Sequence, residues 1–178
     1  SKYLFAQENQ LNNLVAAPDM VVSLIYPFEG NEAAIGLDYA THPEQSETAF
    51  LARDTGKMVL AGPVHLVQGG RGFIARFPVF LDEPEGWGHF WGIVSAVISA
   101  DQLYAESGLY DLEGVLDIAI SGEDGLGADG RVFFGEAAVL DMNPVLAEVK
   151  LPAGRWQIAA VPTGGWDTTP PNIWLLRL

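Results

Sequence analysis

The chain has 178 residues, with 9 Lys and Arg against 23 Asp and Glu, a formal net charge of -14, no Cys, and 49% hydrophobic residues. That apolar content excludes a disordered acidic tail, and the charge argues against nucleic acid and bare anionic membrane as partners, since both need Lys and Arg. The lack of Cys excludes a disulfide scaffold, a zinc–thiolate site, an iron–sulfur cluster and a cysteine nucleophile.

In chain order, Leu4, Phe5, Leu11, Leu14 and Val15 have the spacing of an amphipathic helix end over Ser1–Ala16, closed by Pro18 and Asp19. Met20–Tyr26 is a β-branched run stopped by Pro27 and predicts a buried strand; after a Gly30-Asn31 turn, Ala34–Tyr39 predicts a second short one. Pro43–Thr55 predicts the clearest helix, with acids at its start and Gly56 as its C-terminal cap. Met58–Val67 predicts a strand broken at Gly62-Pro63, Gly72–Leu81 another, and Phe90–Ser99 a fully buried one. Asp101 is expected to cap a short helix running to Ser107 and ended by Gly108. Strands are then predicted over Val115–Ile120, Val132–Phe134, Val145–Leu151 and Trp156–Val161, with a helix start at Asn172–Leu178. The longest strongly apolar stretch, Phe90–Ala100, is about half the ~20 residues that a membrane span needs. Several strands per unit and few helices predict an α+β fold with antiparallel sheets in two units, divided near residues 100–112.

The chemistry-bearing motifs are sparse. Gly125-Leu126-Gly127-Ala128-Asp129-Gly130 spells GxGxxG, but a strand is expected after it, whereas dinucleotide binding needs a helix there; the segment reads as a hairpin. His42, His65 and His89 lack metal-site spacing, and no nucleophile motif occurs. Asp82, Glu83 and Glu85 read as a solvated acidic loop. Asp38 is more informative, because it interrupts an apolar run. Alternation places Leu37 and Tyr39 on one face and Gly36 and Asp38 on the other, so that second face is either wet or lines a pocket with a donor in it. Arg76, inside "FIARFPVF", poses the same question, with a salt bridge or a snorkelled edge position as the plain reading. Tyr26, Phe77 and Trp91 are core candidates that could also wall a small-molecule site. From the residues alone the chain is more plausibly a binding module than an enzyme.

The stretches Val21–Tyr39, Ala52–Phe80 and Phe90–Tyr104, with Val132–Glu136, Val149–Pro162 and Gly164–Trp166, resemble the CHASE domain family of extracytoplasmic sensory domains. The resemblance implies two PAS-like subdomains: the end of a stalk helix over residues 1–17, a membrane-distal ligand-binding unit over 18–108, a membrane-proximal unit over 109–167, and a lead into a second transmembrane helix over 168–178. It implies a periplasmic position in an inner-membrane receptor, a kinase or cyclic-di-nucleotide output outside this chain, a homodimer in the full-length receptor, and no cofactor or metal. By likeness to plant cytokinin receptors, Asp38 in "GLDYA" would meet an adenine edge, and Leu60 in "GKMVLAGP" would contribute backbone contacts. A threonine that holds the hormone tail in those receptors falls near Gly69-Gly70, where no hydroxyl is present. The implied ligand is thus an adenine-like or other polar small molecule, held by Asp38 and Leu60 with Tyr26, Arg76, Phe77 and Trp91 around it. The alternative is a structural relay or dimerisation domain whose PAS-like cavity is filled by its own side chains.

Overall fold

A computed structural model describes residues 11–81 and 88–167. The elements are β1 (Leu11–Pro18), β2 (Leu24–Tyr26), α1 (Ser46–Thr55), β3 (Val59–His65), β4 (Arg71–Leu81), β5 (His89–Ser99), α2 (Ala100–Glu106), β6 (Leu116–Ser121), β7 (Val132–Phe134), β8 (Val145–Leu151) and β9 (Gly154–Pro162). Among the described residues they form a five-stranded sheet in the order β2-β1-β5-β4-β3 and a four-stranded sheet in the order β7-β6-β9-β8. Every pairing between these strands is antiparallel, as the α+β reading requires.

The first sheet has two differently covered faces. Val15, Ala17, Ile74, Ile93 and Val97 point to one side and pack with Met20, Val22, Tyr39 and Ala49, so that α1 and the irregular segment 20–45 form a cap over it. Leu60, Phe73, Ala75 and Ile98 point to the other side and meet α2 and the second sheet, through Ile118, Ile120, Phe133, Trp156 and Ile158. The second sheet covers its own far face with the turn at Ala137–Asp141, around Ala119, Val139, Ala159 and Val161. The two units therefore share one of the three apolar clusters. Phe73 is its centre, with ring centroids 4.9 Å from Trp156, 5.6 Å from Phe133 and 6.3 Å from Tyr104.

Four local expectations are corrected. Residues 11–18 form β1, not a helix end; Val15 and Ala17 alternate inward against β5, and the buried polar Asn13 in the same inward row hid the period of two. The five-stranded sheet accordingly begins before residue 18. Met20–Tyr26 is not one buried strand: only Leu24–Tyr26 is extended and paired with β1, with Leu24 and Tyr26 exposed, because Asp19 and Met20 adopt left-handed backbone angles of φ 50 and 72. Ala34–Tyr39 is not a strand: a 3-10 turn occupies Glu32–Ala34, Gly36 has φ 85, and only the Val21–Asp38 bridge remains. The α2 cap is Ser99, whose Oγ accepts from the Gln102 N–H at 3.3 Å, not Asp101. β3, by contrast, runs through Gly62-Pro63 by means of a register shift between Ala61 and Val64. The predicted helix over residues 1–10, the acidic loop at 82–87 and the helix start at 172–178 lie outside the described residues. No helix among the described residues is long and apolar enough to cross a membrane.

Candidate functional site

The capped face of the first sheet carries an unusual polar patch. Arg76 on β4 lies opposite Ser95 on β5, and Ser95 lies opposite Val15 on β1. One rung along, Ile74, Val97 and Asn13 face one another. Arg76, Ser95 and Asn13 are each 0% exposed. Strand alternation, which normally sends polar residues to water, here turns three of them inward beneath the cap.

The cap supplies partners for part of this set. Arg76 Nη2 donates to Gln45 Oε1 at 2.8 Å and Arg76 Nε to Thr48 Oγ1 at 3.3 Å, both at the start of α1. The guanidinium also stacks on Tyr39, 4.4 Å from the ring centroid. Burial pushes the Arg76 guanidinium below its usual pKa, with the neighbourhood of Tyr39 and Asp124 opposing the shift. Asn13 Nδ2 donates to Asn31 Oδ1 at 2.8 Å, and Gln68 Nε2 reaches the same oxygen at 3.4 Å, so Asn31 ties the cap to both β1 and the β3–β4 turn. Of the six buried side-chain atoms without a hydrogen-bond partner among the described residues, three belong to this patch: Arg76 Nη1, Ser95 Oγ and Asn13 Oδ1. A cavity of about 20 Å³, lined by Asn13, Leu37, Tyr39, Gln45, Ile74 and Val97 among others, lies between cap and sheet. It has room for about one water molecule.

A second, open cavity of about 410 Å³ lies where the two units meet, between α1, the β3–β4 hairpin and the β6–β7 loop. Thr48, which holds Arg76, also lines this groove. Asp124 of the GxGxxG-bearing loop reaches across, its Oδ1 accepting the Gly62 N–H at 2.6 Å. Loss of water around that carboxylate raises its pKa, with the Gly62 N–H opposing the shift. The loop itself is followed by β7, paired antiparallel to β6, so no helix N-terminus is available for a pyrophosphate.

The six residues singled out in the sequence do not converge. Arg76 alone is buried on the capped face. Tyr26 lies opposite Leu14, and Phe77 opposite Val94, on the other face, where they are 47% and 44% exposed. Leu60 lies opposite Ala75 and packs in the shared cluster. Trp91 is the extra residue where Val79 pairs with Gly92 and Phe80 with Phe90, and its carbonyl accepts the Asp19 N–H at 2.9 Å. Asp38 is half-buried, and its Oδ1 accepts the Ala40 N–H at 2.8 Å. It is Leu37 and Tyr39 that line the cavity, so the alternation that set Asp38 apart carries it away from the enclosed space. Asn13, Ser95 and Gln45 were missed. Gln45 precedes α1 with no sequence sign of burial, while Asn13 and Ser95 could have been found as polar residues at the inward positions of two strands.

The CHASE domain family matches residues 7–134, which span β1 to β7 and the whole five-stranded sheet. No curated protein matches the sequence. Among solved structures, the chain is similar to an extracellular ligand binding receptor from Desulfohalobium retbaense DSM5692, at 16% identity and a TM-score of 0.62, over 89% of this chain and 31% of that one. The chain thus spans less than a third of that receptor's length. It is also similar to the ligand binding domain of the Pseudomonas aeruginosa PAO1 amino acid chemoreceptor PctC in complex with GABA, at 13% identity and a TM-score of 0.52, over 85% and 74% of the two chains. The sensor domain of the V. cholerae histidine kinase DctB matches at 10% identity and a TM-score of 0.52, over 86% and 72%. At these identities the likeness is one of fold, and it agrees with two PAS-like antiparallel sheets.

Proposed function

The chain belongs to the CHASE domain family, and from that premise we propose that it is the extracytoplasmic sensor portion of a transmembrane receptor, binding a small molecule between the five-stranded sheet and its cap. The observation that carries this reading is the polar patch of Arg76, Ser95 and Asn13, buried and incompletely hydrogen-bonded on the capped face. Buried polar groups are nearly always paired, and groups that are not point to a missing partner. The fold shared with the PctC ligand-binding domain, whose structure holds GABA, is consistent with a small-molecule occupant.

Signalling requires that the ligand favour one of two conformations. Since the closed cavity holds about one water, a ligand must displace the cap outward from the sheet. α1 moves with the cap, and the groove beside it is crossed by the Asp124–Gly62 hydrogen bond to the proximal unit. This gives a route from pocket to second sheet. The output, a kinase or cyclic-di-nucleotide enzyme, lies outside this chain, and the full-length receptor acts as a homodimer. The sensor portion itself performs no catalysis.

The test is a thermal-shift screen of metabolites on the purified chain, together with native mass spectrometry of co-purified small molecules. A ligand at a hundredfold its dissociation constant stabilises by about 2.7 kcal/mol. A flat screen with no bound mass sinks the proposal. It would favour the relay reading, whose support is the small volume left under the cap.

A further inference from the structure

Resting on the sensor reading above, we propose that the ligand is a small carboxylic acid whose carboxylate pairs with Arg76 and Ser95, and that a hydrogen-bond donor elsewhere on it faces Asn13.

The argument starts from the company Arg76 keeps. Its two bonded partners, Gln45 and Thr48, are neutral, and so is the Tyr39 ring it stacks on. Among the described residues no carboxylate lies within ion-pair distance of it; the ion pairs there involve Arg53, His65, Arg131 and Arg155. In a chain with 23 acids and 9 basic residues, pairing a buried cation with an acid would be easy, yet the groups in direct contact with this one are neutral, and Asp124 acts on it only from beyond ion-pair distance. Removing a guanidinium from water is costly, and neutral partners recover only part of that cost. Arginine keeps its charge under these conditions, so the deficit calls for an anion rather than for a lost proton.

Geometry narrows the anion. The guanidinium has a free donor at Nη1, and Ser95, directly opposite on β5, has a free Oγ. The Cβ atoms of residues opposite each other on antiparallel strands lie about 5 Å apart, so the two groups rise from adjacent positions on the same covered face. A planar carboxylate with two oxygens suits that pair. Asn13, one rung along on β1, offers an unpartnered Oδ1, an acceptor that calls for an N–H or O–H on the ligand. Donors at one end and an acceptor at the other describe an amino acid or hydroxy acid. They do not suit a cation, and they leave an uncharged purine without the charge that Arg76 lacks. The acid that would have met a purine edge, Asp38, is turned to its own backbone at Ala40.

The experiment uses matched pairs of probes on the purified chain: short amino acids and hydroxy acids (glycine, alanine, lactate and their longer homologues) and the corresponding primary amides. Thermal shift and titration calorimetry are read for the native chain and for Arg76→Met and Arg76→Lys. Acids should raise the melting temperature, and their amides should not at equal concentration. Arg76→Met should lose the response to acids; its stability without ligand reflects two opposing changes, the removal of a buried charge and the loss of the donors to Gln45 and Thr48. Arg76→Lys should fold and bind the same acids about tenfold more weakly or worse, the loss of one charge-assisted hydrogen bond. If amides or cations stabilise as well as acids, or Arg76→Lys binds acids undiminished, the carboxylate assignment fails while the sensor reading stands. If no small molecule acts on the native chain and none co-purifies with it, both fail.

Discussion

Phe73→Ala is the perturbation that most directly probes how the two units are joined. Phe73 is 1% exposed and touches the rings of Tyr104 on α2, Phe133 on β7 and Trp156 on β9. Truncating a buried Phe costs about 3–5 kcal/mol, of which the transfer of the ring from water and the cavity left behind are both parts. The high end is expected, because its neighbours belong to three elements in two different units and cannot all collapse into the gap. For a chain of this size about 2–4 °C accompanies each kcal/mol, so melting should fall by roughly 6–20 °C. Urea unfolding followed by both tryptophan fluorescence and far-ultraviolet circular dichroism reports it, since Trp156 sits in the cluster. The native chain should show one transition, coincident in the two signals. A loss below about 1 kcal/mol, or separate transitions in the native chain, would refute the shared core.

Three further predictions follow from individual contacts. The buried Tyr104 hydroxyl has no partner among the described residues, and burial pushes its pKa up to about 12, so Tyr104→Phe should be neutral or stabilising by about 1 kcal/mol at pH 7. The folded state holds the Tyr104 proton more tightly than the unfolded chain, whose tyrosine titrates near pH 10, so this stabilising contribution is lost as pH rises from about 10 to about 12. Phenolate absorbance should therefore show one tyrosine of the native chain titrating late, and the late step should be missing in Tyr104→Phe. Gly135 has φ 71 and a Cβ there would collide with the Ile118 carbonyl oxygen on β6, so Gly135→Ala should destabilise by at least about 2 kcal/mol; a change under about 0.5 kcal/mol in denaturant melts would contradict the β6–β7 packing. Asp38→Ala removes the acceptor for the Ala40 N–H and should cost about 1 kcal/mol while leaving acid binding within a few-fold. Complete loss of ligand response with an unchanged melting curve would return Asp38 to the pocket.

Much of the molecule was legible from local chemistry. The five long strands after residue 58 announced themselves by β-branched runs between Gly and Pro turns, and Gly56 closes α1 with φ 63 as a left-handed cap should. The GxGxxG segment was separable from a nucleotide loop because the residues after it favour extended backbone. Residues 11–45 were the hard part. β1 is held by partners on both sides, β5 and β2, and these pairings outweigh a local spacing that also fits a helix. The cap is shaped by positive backbone angles at Asp19 and Met20; Asp tolerates such an angle, but Met gives no warning of one.

The site divides in the same way. Sequence alone could single out Arg76 as a charge inside an apolar strand, and Asp38 as an acid inside an apolar run, but could not say which of the two faces inward. Alternation tells which residues share a face, not which face is covered. Only the placement of α1 and segment 20–45 on one side of the sheet, and of the second sheet on the other, decided that Arg76, Ser95 and Asn13 are enclosed together while Tyr26, Leu60 and Phe77 lie behind them. Composition set the acidic, cysteine-free character of the chain. Burial of one cation among neutral partners is a property of non-local packing, created where strands distant in sequence bring their polar side chains under a common cover.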